Sequence, residues 1–189
     1  MVFSKSLFLS ATAAAILFSS AASSMAADAF YVSIQGTKQG PFKGESLVAA
    51  HRNQITGLDF SYEVSSPRDP QTGLPSGQRI QMPLVITKQI GAASPQIYEA
   101  MVTNEVLKNV VIQFVKTANN GAETTYYTIT LTNATISDIK QHDTEAAATS
   151  VNVQPQKLMV EDVSFTFQKI EVSSAGGITA FDDWEARVE

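Results

Sequence analysis

Strict alternation of apolar and polar residues along two long segments is the feature that most constrains how this chain folds. In "TTYYTITLTNATISDI" one side is apolar and the other carries hydroxyl groups: Tyr127, Ile129 and Leu131 against Thr128, Thr130 and Thr132. In "KLMVEDVSFTFQKIEV" the apolar side holds Val163, Phe165 and Phe167. A period of two residues is typical of a half-buried β-strand. Both segments are therefore predicted to be long strands with one face in a core.

Shorter segments repeat the pattern at residues 30–37, 55–64, 79–90 and 106–117. In residues 55–64 the period places four apolar residues on one face: Leu58, Phe60, Tyr62 and Val64. An Asn-Asn-Gly sequence at residues 119–121 predicts a hairpin turn. Many alternating strands with turn signals predict a mostly β domain, either a barrel or a sandwich.

One segment, "GAASPQIYEAMVTNE", predicts a short α-helix beside these strands. Ser94 suits the N-cap and Pro95 the first helical position. A single apolar stripe then follows: Ile97, Tyr98, Met101 and Val102. A helix this short depends on tertiary packing rather than on propensity, so we expect the stripe to lie against the sheet.

The first 26 residues have the pattern of a secretory signal peptide: Lys5, an apolar run at residues 7–18, then small residues. The alternative is an uncleaved membrane anchor, but the apolar run is shorter than the roughly 20 residues that span a bilayer. We predict cleavage between Ala26 and Ala27. The mature chain, residues 27–189, would then be a single β-barrel domain of 189 − 26 = 163 residues.

Composition excludes several classes of function for this exported chain. It contains no cysteine, so thiol catalysis and thiolate metal sites are impossible. After loss of Lys5 the charge is 12 basic minus 18 acidic residues, or −6. Nucleic-acid binding calls for basic patches, so no nucleic-acid partner is expected. No membrane association is expected after signal cleavage.

The titratable residues do not form a recognisable catalytic set. His51 and His142 lie in polar segments and are predicted to be surface histidines. Neighbouring residues of a strand point to opposite faces, which argues against joint catalysis by the Glu161-Asp162 pair. The segment "FDDWE" lacks the ligand spacing of a calcium loop and reads as a solvated acidic tail. We predict no catalytic residue, no cofactor and no metal.

Residues 65–78, here called the arm, interrupt the strand pattern with a long polar stretch that runs into the strand at residues 79–90. Its prolines, Pro67, Pro70 and Pro75, lower the entropy lost on ordering. Arg68, Asp69 and Arg79 are available for paired contacts. The arm is therefore either a partner-binding element or a mobile surface loop, and its composition alone leaves both open.

The stretch "SPRDPQTGLPSGQRIQMPLVITKQIGAASPQIYEAMVTNE" resembles the haemolysin-coregulated protein (Hcp) family, the tube subunit of bacterial type VI secretion systems. The matching pattern comprises Arg68-Asp69, Thr72-Gly73, Gly77, Arg79, Ile86-Thr87-Lys88 and Ala93-Ser94-Pro95. "DAFYVSIQG", "YYTITLTNATISDI", "EDVSFTFQKIE" and "DDW" also match, in the family's order.

The resemblance implies a squashed β-barrel of two antiparallel sheets with one flanking helix and an extended loop. It implies a homohexameric ring, stacking of rings into a tube, effectors in the lumen, and a spike protein and a sheath as further partners. The extended loop reaches the adjoining ring, and in this chain that loop is the arm. The stacking residues implied are Pro67, Arg68, Asp69, Pro70, Thr72, Gly73, Ser76, Gly77 and Arg79. We assign Thr128, Thr130 and Thr132 to a wetted lumen.

The signal peptide departs from the family, whose members leave through their own machine without a cleaved signal. We therefore expect a periplasmic or extracellular protein. The alternative to a tube subunit is an exported monomeric barrel that binds a ligand or another protein.

Export by the general secretory route makes one direct prediction. Intact-mass analysis of the protein accumulated outside the cytoplasm will give a chain that begins at Ala27. A full-length chain retained in the cytoplasm would show that residues 1–26 are not a signal peptide.

Overall fold

The barrel is built from antiparallel strands and closes where its fifth strand pairs on both edges. A computed structural model describes residues 29–118, 122–145 and 157–184 of the chain. The elements are β1 Ala29–Gly36, a 3-10 helix Ala49–His51, β2 Ile55–Ser61, β3 Val64–Ser65, β4 Ile80–Gln81, β5 Leu84–Gln89, α1 Ser94–Val102, β6 Leu107–Thr117, β7 Glu123–Glu145, β8 Lys157–Ser174 and β9 Thr179–Asp183. The predicted signal segment and its cleavage site, Ala26-Ala27, lie outside the described residues.

Six strands form the closed barrel in the order β5-β2-β1-β6-β7-β8, and β5 returns to pair with β8. Strand β9 lies beside β8 beyond the reach of β5, and β3 and β4 form a separate two-stranded sheet. The prediction of a mostly β barrel with one short helix is confirmed. The predicted hairpin joins β6 and β7, which pair up to Thr117 and Glu123, although its turn lies outside the described residues.

The barrel interior is filled by the faces that the alternation predicted. Ile129 and Leu131 of β7 are buried, as are Val163 and Phe165 of β8. After Leu131 the inward-facing residues of β7 switch from odd-numbered to even-numbered positions, because Asn133 adopts a left-handed backbone conformation, φ 49°. Buried residues therefore continue along the even-numbered positions of β7.

The predicted face of β2 is half wrong. Phe60 and Tyr62 pack against the core, but Leu58 and Val64 are each 50% exposed. The pairing of β2 with β5 shifts register immediately after Gly57, so Leu58 lies in a β-bulge and does not share the inward face of Phe60. Gly57 is also required there, because a Cβ would lie 1.9 Å from the ring of Phe30. Val64 belongs to β3, which is outside the barrel sheet.

Helix α1 begins at Ser94 and carries Pro95 in its first turn, but only part of the predicted stripe is buried. Ile97 is buried and Met101 packs against the core, whereas Tyr98 and Val102 are exposed: 60% and 54%. Ser94 does not cap the helix. Its hydroxyl instead belongs to a buried polar network.

That network centres on the ammonium group of Lys88, whose side chain is fully buried. Its Nζ donates to the Gln89 carbonyl at 2.6 Å, to Ser94 Oγ at 3.2 Å and to Glu161 Oε1 at 3.1 Å. A second carboxylate, Glu45, lies 3.5 Å away. An ammonium group has three N–H donors, and all three are satisfied here.

The other members of the network complete its hydrogen bonding. Ser94 Oγ donates to Glu161 Oε1 at 2.7 Å and accepts from the Gly91 N–H at 3.0 Å. Glu161 Oε2 accepts from Gln141 Nε2 at 3.1 Å. The network therefore joins β5, β7, β8 and the start of α1.

Replacing Lys88 alone will destabilise the fold strongly, because it leaves the Glu161 carboxylate buried without its counter-charge. We expect Lys88→Met to lower the free energy of unfolding by about 3–5 kcal/mol. The double variant with Glu161→Leu will recover part of that loss, since both charges are then removed. Chemical denaturation followed by circular dichroism measures both.

Lys108→Met is the matched control, because Lys108 is an exposed lysine on β6 and its loss will change stability by no more than about 0.5 kcal/mol. A Lys88→Met loss as small as that of the control would mean that the buried pair does not hold the barrel together.

Candidate functional site: the arm

The arm is an ordered two-stranded ribbon in this structure. Its base is the β3–β4 pair, in which Ser65 lies opposite Ile80. Farther out, Arg68 forms a bridge with Pro75, and the Ser76 N–H donates to the Pro67 carbonyl at 3.0 Å. Residues 71–80 are all exposed, so hydrogen bonds within the arm, rather than burial, give it its shape.

Asp69 organises the tip of the arm. One oxygen of its carboxylate accepts from the Gln71 N–H at 2.9 Å, the Thr72 N–H at 2.8 Å and the Thr72 hydroxyl at 3.0 Å. Its backbone N–H donates to the Leu74 carbonyl at 2.9 Å, and Gly73 closes the turn with φ 70°. A positive φ favours glycine, which explains Gly73 at this position.

These hydrogen bonds also act on the charge of Asp69. The Thr72 N–H, then the Thr72 hydroxyl and the Gln71 N–H, lower the pKa of the Asp69 carboxyl. Order that depends on the carboxylate is thus present above the ordinary Asp pKa and is lost as pH falls through the lowered pKa. Pro70 stands at the turn's second position, where its fixed φ suits a turn.

The base of the arm is held by the chain's own last strand. Arg79 Nη2 lies 2.7 Å from Asp182 Oδ1, and Gln81 Nε2 donates to the other oxygen of the same carboxylate. The prediction of a solvated acidic tail is therefore wrong as far as Asp183, because residues 179–183 form strand β9. In the sequence, only the "DDW" motif indicated that Asp182 has a role in the family's fold.

The strand predicted at residues 79–90 is divided into β4 and β5. Pro83 stands between them, and proline has no N–H with which to continue the ladder. The division separates the ribbon of the arm from the barrel strand that anchors it.

The nine predicted stacking residues thus fall into two groups. Eight lie in the ribbon: Pro67, Arg68, Asp69, Pro70, Thr72, Gly73, Ser76 and Gly77. The ninth, Arg79, lies at the base and contacts Asp182, so its first role is to hold the arm to the barrel.

The predicted lumen residues share one face of β7. Thr128, Thr130 and Thr132 are partly exposed and point away from Ile129 and Leu131. Five of their six neighbours across the strands are also polar, namely Asn109, Gln113, Lys169, Glu171 and Ser173, whereas Thr130 also faces Val111. The face is polar as predicted, and its place in a lumen stays a prediction.

Of the two histidines predicted to lie at the surface, only His51 differs from that prediction. His51 is buried and stacks on Tyr31, with ring centroids 4.0 Å apart, and its Nδ1 lies 2.7 Å from Gln54 Oε1. His142 lies in β7 with Nδ1 3.8 Å from Asp162 Oδ2. His51 is thus a packing residue, which the polar segment around it concealed.

Residues 29–118, 122–145 and 157–184 contain no group of three or more His, Asp or Glu that could hold a metal ion. In the same ranges, no helix is long and apolar enough to cross a membrane.

Comparison with known proteins identifies the family. Residues 31–173 match the family model described as "Type VI secretion system effector, Hcp". The chain is also 36% identical over 170 residues to the "Major exported protein" of Pseudomonas aeruginosa strain PAO1. That alignment covers 84% of this chain and 96% of the relative.

Solved structures agree with the sequence relatives. A crystal structure of an Hcp protein superposes with a TM-score of 0.72 at 26% identity, covering 84% of this chain and 100% of the other. A secreted Hcp protein of Pseudomonas aeruginosa superposes with a TM-score of 0.64 at 32% identity, covering 84% and 99%.

The chain therefore belongs to the haemolysin-coregulated protein family, secreted proteins that form the tube of type VI secretion systems as stacked hexameric rings. The predictions of the family, of a structural tube subunit and of an exported protein are confirmed.

Removing the Asp69 carboxylate will loosen the tip of the arm without unfolding the barrel. In Asp69→Ala we expect the arm amides, above all those of Gln71 and Thr72, to exchange with solvent faster, while the melting temperature stays nearly constant, as for other exposed substitutions. Hydrogen exchange read by mass spectrometry measures the first effect. Asp138→Ala, which removes another exposed carboxylate, is the control. A large fall in melting temperature would instead make Asp69 a residue of the folded core.

Proposed function

We propose that this chain is a ring subunit whose arm joins one ring to the next, in a form that is exported through a cleaved signal peptide. The observation that carries this proposal is the ordered arm itself. Among the described residues, the hydrogen bonds of the arm beyond its base run only to other arm residues. A ribbon that is ordered by its own hydrogen bonds and exposed along residues 71–80 is shaped to contact another molecule.

The closed barrel suits the second part of the proposed function, the association of copies into a ring. Its hydrogen-bonded sheet closes through the β5–β8 pairing, so the barrel itself leaves few open edges for uncontrolled strand pairing. Copies can then associate through specific side-chain surfaces instead of through open strand edges. A hexamer uses one head-to-tail interface that closes after six copies, and each interface should bury on the order of 1,000 Å².

The partners we propose are a second copy within the ring, a copy in the adjoining ring, and a spike protein, a sheath and effectors where the chain works with the secretion machine. The role is structural and not enzymatic. Signal cleavage between Ala26 and Ala27 would deliver the single barrel domain, residues 27–189, to the periplasm or the medium. Nucleic acid and membrane are not among the proposed partners.

Replacing residues 67–77 by a short Gly-Ser turn will test the arm. We expect single rings to persist and tubes to disappear, because the β3–β4 base and the barrel remain while the contact between rings is lost. Electron microscopy of negatively stained particles distinguishes rings from tubes.

The matched control replaces the exposed turn between β8 and β9, residues 175–177, by Gly-Ser residues. That change alters a turn of similar exposure and should leave tubes intact. Tubes of normal length after the arm replacement would contradict a stacking role for the arm. A particle that never exceeds one copy, with either turn, would favour the exported monomeric barrel instead.

A further inference from the structure

A cleft of about 410 Å³ opens beside the base of the arm. It lies where β8 changes partners: pairing with β5 ends at Phe165, and pairing with β9 begins at Lys169. Along residues 166–168, one edge of β8 therefore faces the cleft instead of a strand. Its lining is Gln81, Met82, Pro83, Thr166, Phe167, Gln168 and Trp184.

The walls of the cleft suit an apolar side chain. Met82 and Trp184 remain 50% and 45% exposed, and the partly buried Phe167 and Pro83 line the rest. Half-exposed apolar residues around a concave surface are typical of a contact site.

One polar atom adds a directional element. Gln81 Nε2 donates to Asp182, which turns Gln81 Oε1 away from that carboxylate. This oxygen is buried and has no hydrogen-bond partner among the described residues. A buried acceptor without a donor is unfavourable. The cleft therefore suits an apolar group that is accompanied by an N–H or O–H donor.

The arm presents a matching group. Leu74 is the single large apolar residue of residues 65–78, and it is 64% exposed at the tip. The hydrogen bonds of Asp69 fix the turn that carries it. The tip also carries an exposed amide side chain, that of Gln71. An apolar side chain held rigidly in solvent is explained when it enters a site on another molecule.

Leu74 does not reach the cleft of its own chain. Six residues of extended ribbon separate it from Ile80 at the base, which is roughly 20 Å at the usual rise of a strand. The ribbon is straightened by the Arg68–Pro75 bridge and by the Pro67–Ser76 hydrogen bond. A cleft at the base and a leucine at the tip are thus two distant patches of one molecule.

We propose that the cleft of one copy receives Leu74 from the arm of another. The contact is heterologous, since the tip and the cleft are different surfaces, and such contacts extend a stack without limit unless they close. This inference rests on the proposed stacking function and names the site that receives the arm. Its polar component is donation from the incoming tip to Gln81 Oε1.

The absence of cysteine from the chain allows a direct test. In the exported protein carrying both Leu74→Cys and Met82→Cys, the introduced thiols will lie close enough for a disulfide, which needs Cβ atoms about 4 Å apart. Mild oxidation will then give a series of bands at multiples of one chain on a non-reducing gel, because each copy carries one tip and one cleft.

Two variants control for accidental oxidation. Leu74→Cys alone forms dimers at most, since a single thiol cannot propagate. Gln78→Cys with Met82→Cys keeps two thiols but places one of them about four residues away from the tip, so only a weak series is expected. Leu74→Asp, without cysteines, will abolish tubes and leave rings, because a carboxylate is not accommodated between Met82 and Trp184.

The outcomes separate this inference from the proposed function. If the tip and cleft thiols do not cross-link, while replacement of residues 67–77 still abolishes tubes, the arm stacks elsewhere and the cleft is not its site. If cross-linking appears only after removal of residues 185–189, the chain's own C-terminus occupies the cleft, which also overturns the proposal. If the arm replacement leaves tubes intact, the stacking function itself fails.

Discussion

The barrel closes where Lys88 of β5 stands opposite Glu161 of β8, and the rest of the structure depends on that buried ion pair. The two residues are directly paired in the register that joins the fifth strand to the last long one. A slip of one residue would place the two side chains on opposite faces of the sheet and leave the charges apart. The pair therefore specifies the closing register, and Ser94 ties the start of α1 to the same point. Burying two charges contributes little net stability by itself, so we infer that its value lies in selecting one closure over its neighbours.

The position of the arm follows from this closure. Strand β5 is the barrel strand that leads out through Pro83 to β4 and the ribbon, so fixing β5 on β8 also fixes where the ribbon leaves the barrel. Asp182 of β9 then holds the base of the ribbon through Arg79 and Gln81. Strand β9 pairs with β8 farther along the same edge that β5 uses. Between these two attachments this edge of β8 has no strand partner, although the Gln168 carbonyl accepts from the Trp184 N–H, and the cleft forms there. A single strand edge thus carries the barrel seam, the support of the arm and the proposed receiving site.

The sequence predicted side-chain burial correctly where the pattern within one strand determines it. It was less informative where burial or strand formation depends on pairing with a distant strand. Ile129, Leu131, Val163 and Phe165 were predicted inward and are buried, because alternation reports directly on a half-buried strand. Leu58 was misassigned because a bulge that depends on the β2–β5 pairing changes the alternation without any local signal, and Val64 because it lies in the separate β3–β4 sheet. Strand β9 was missed because five residues after a glycine turn show no clear period, and it exists only by pairing with β8. The arm's residues were recognised from the family pattern, whereas Asp182 and Gln81 lie about 100 residues apart along the chain and required the fold to bring them together.

The most direct test of the account is the mass of the exported protein in solution, measured by light scattering after gel filtration. A subunit of this kind associates head to tail through one repeated interface, so the account predicts a particle of six copies, or multiples of six where rings stack. A uniform particle of one copy would contradict it. In that case the barrel and the arm would be intact features of a monomer, and the cleft would be a site for some other molecule.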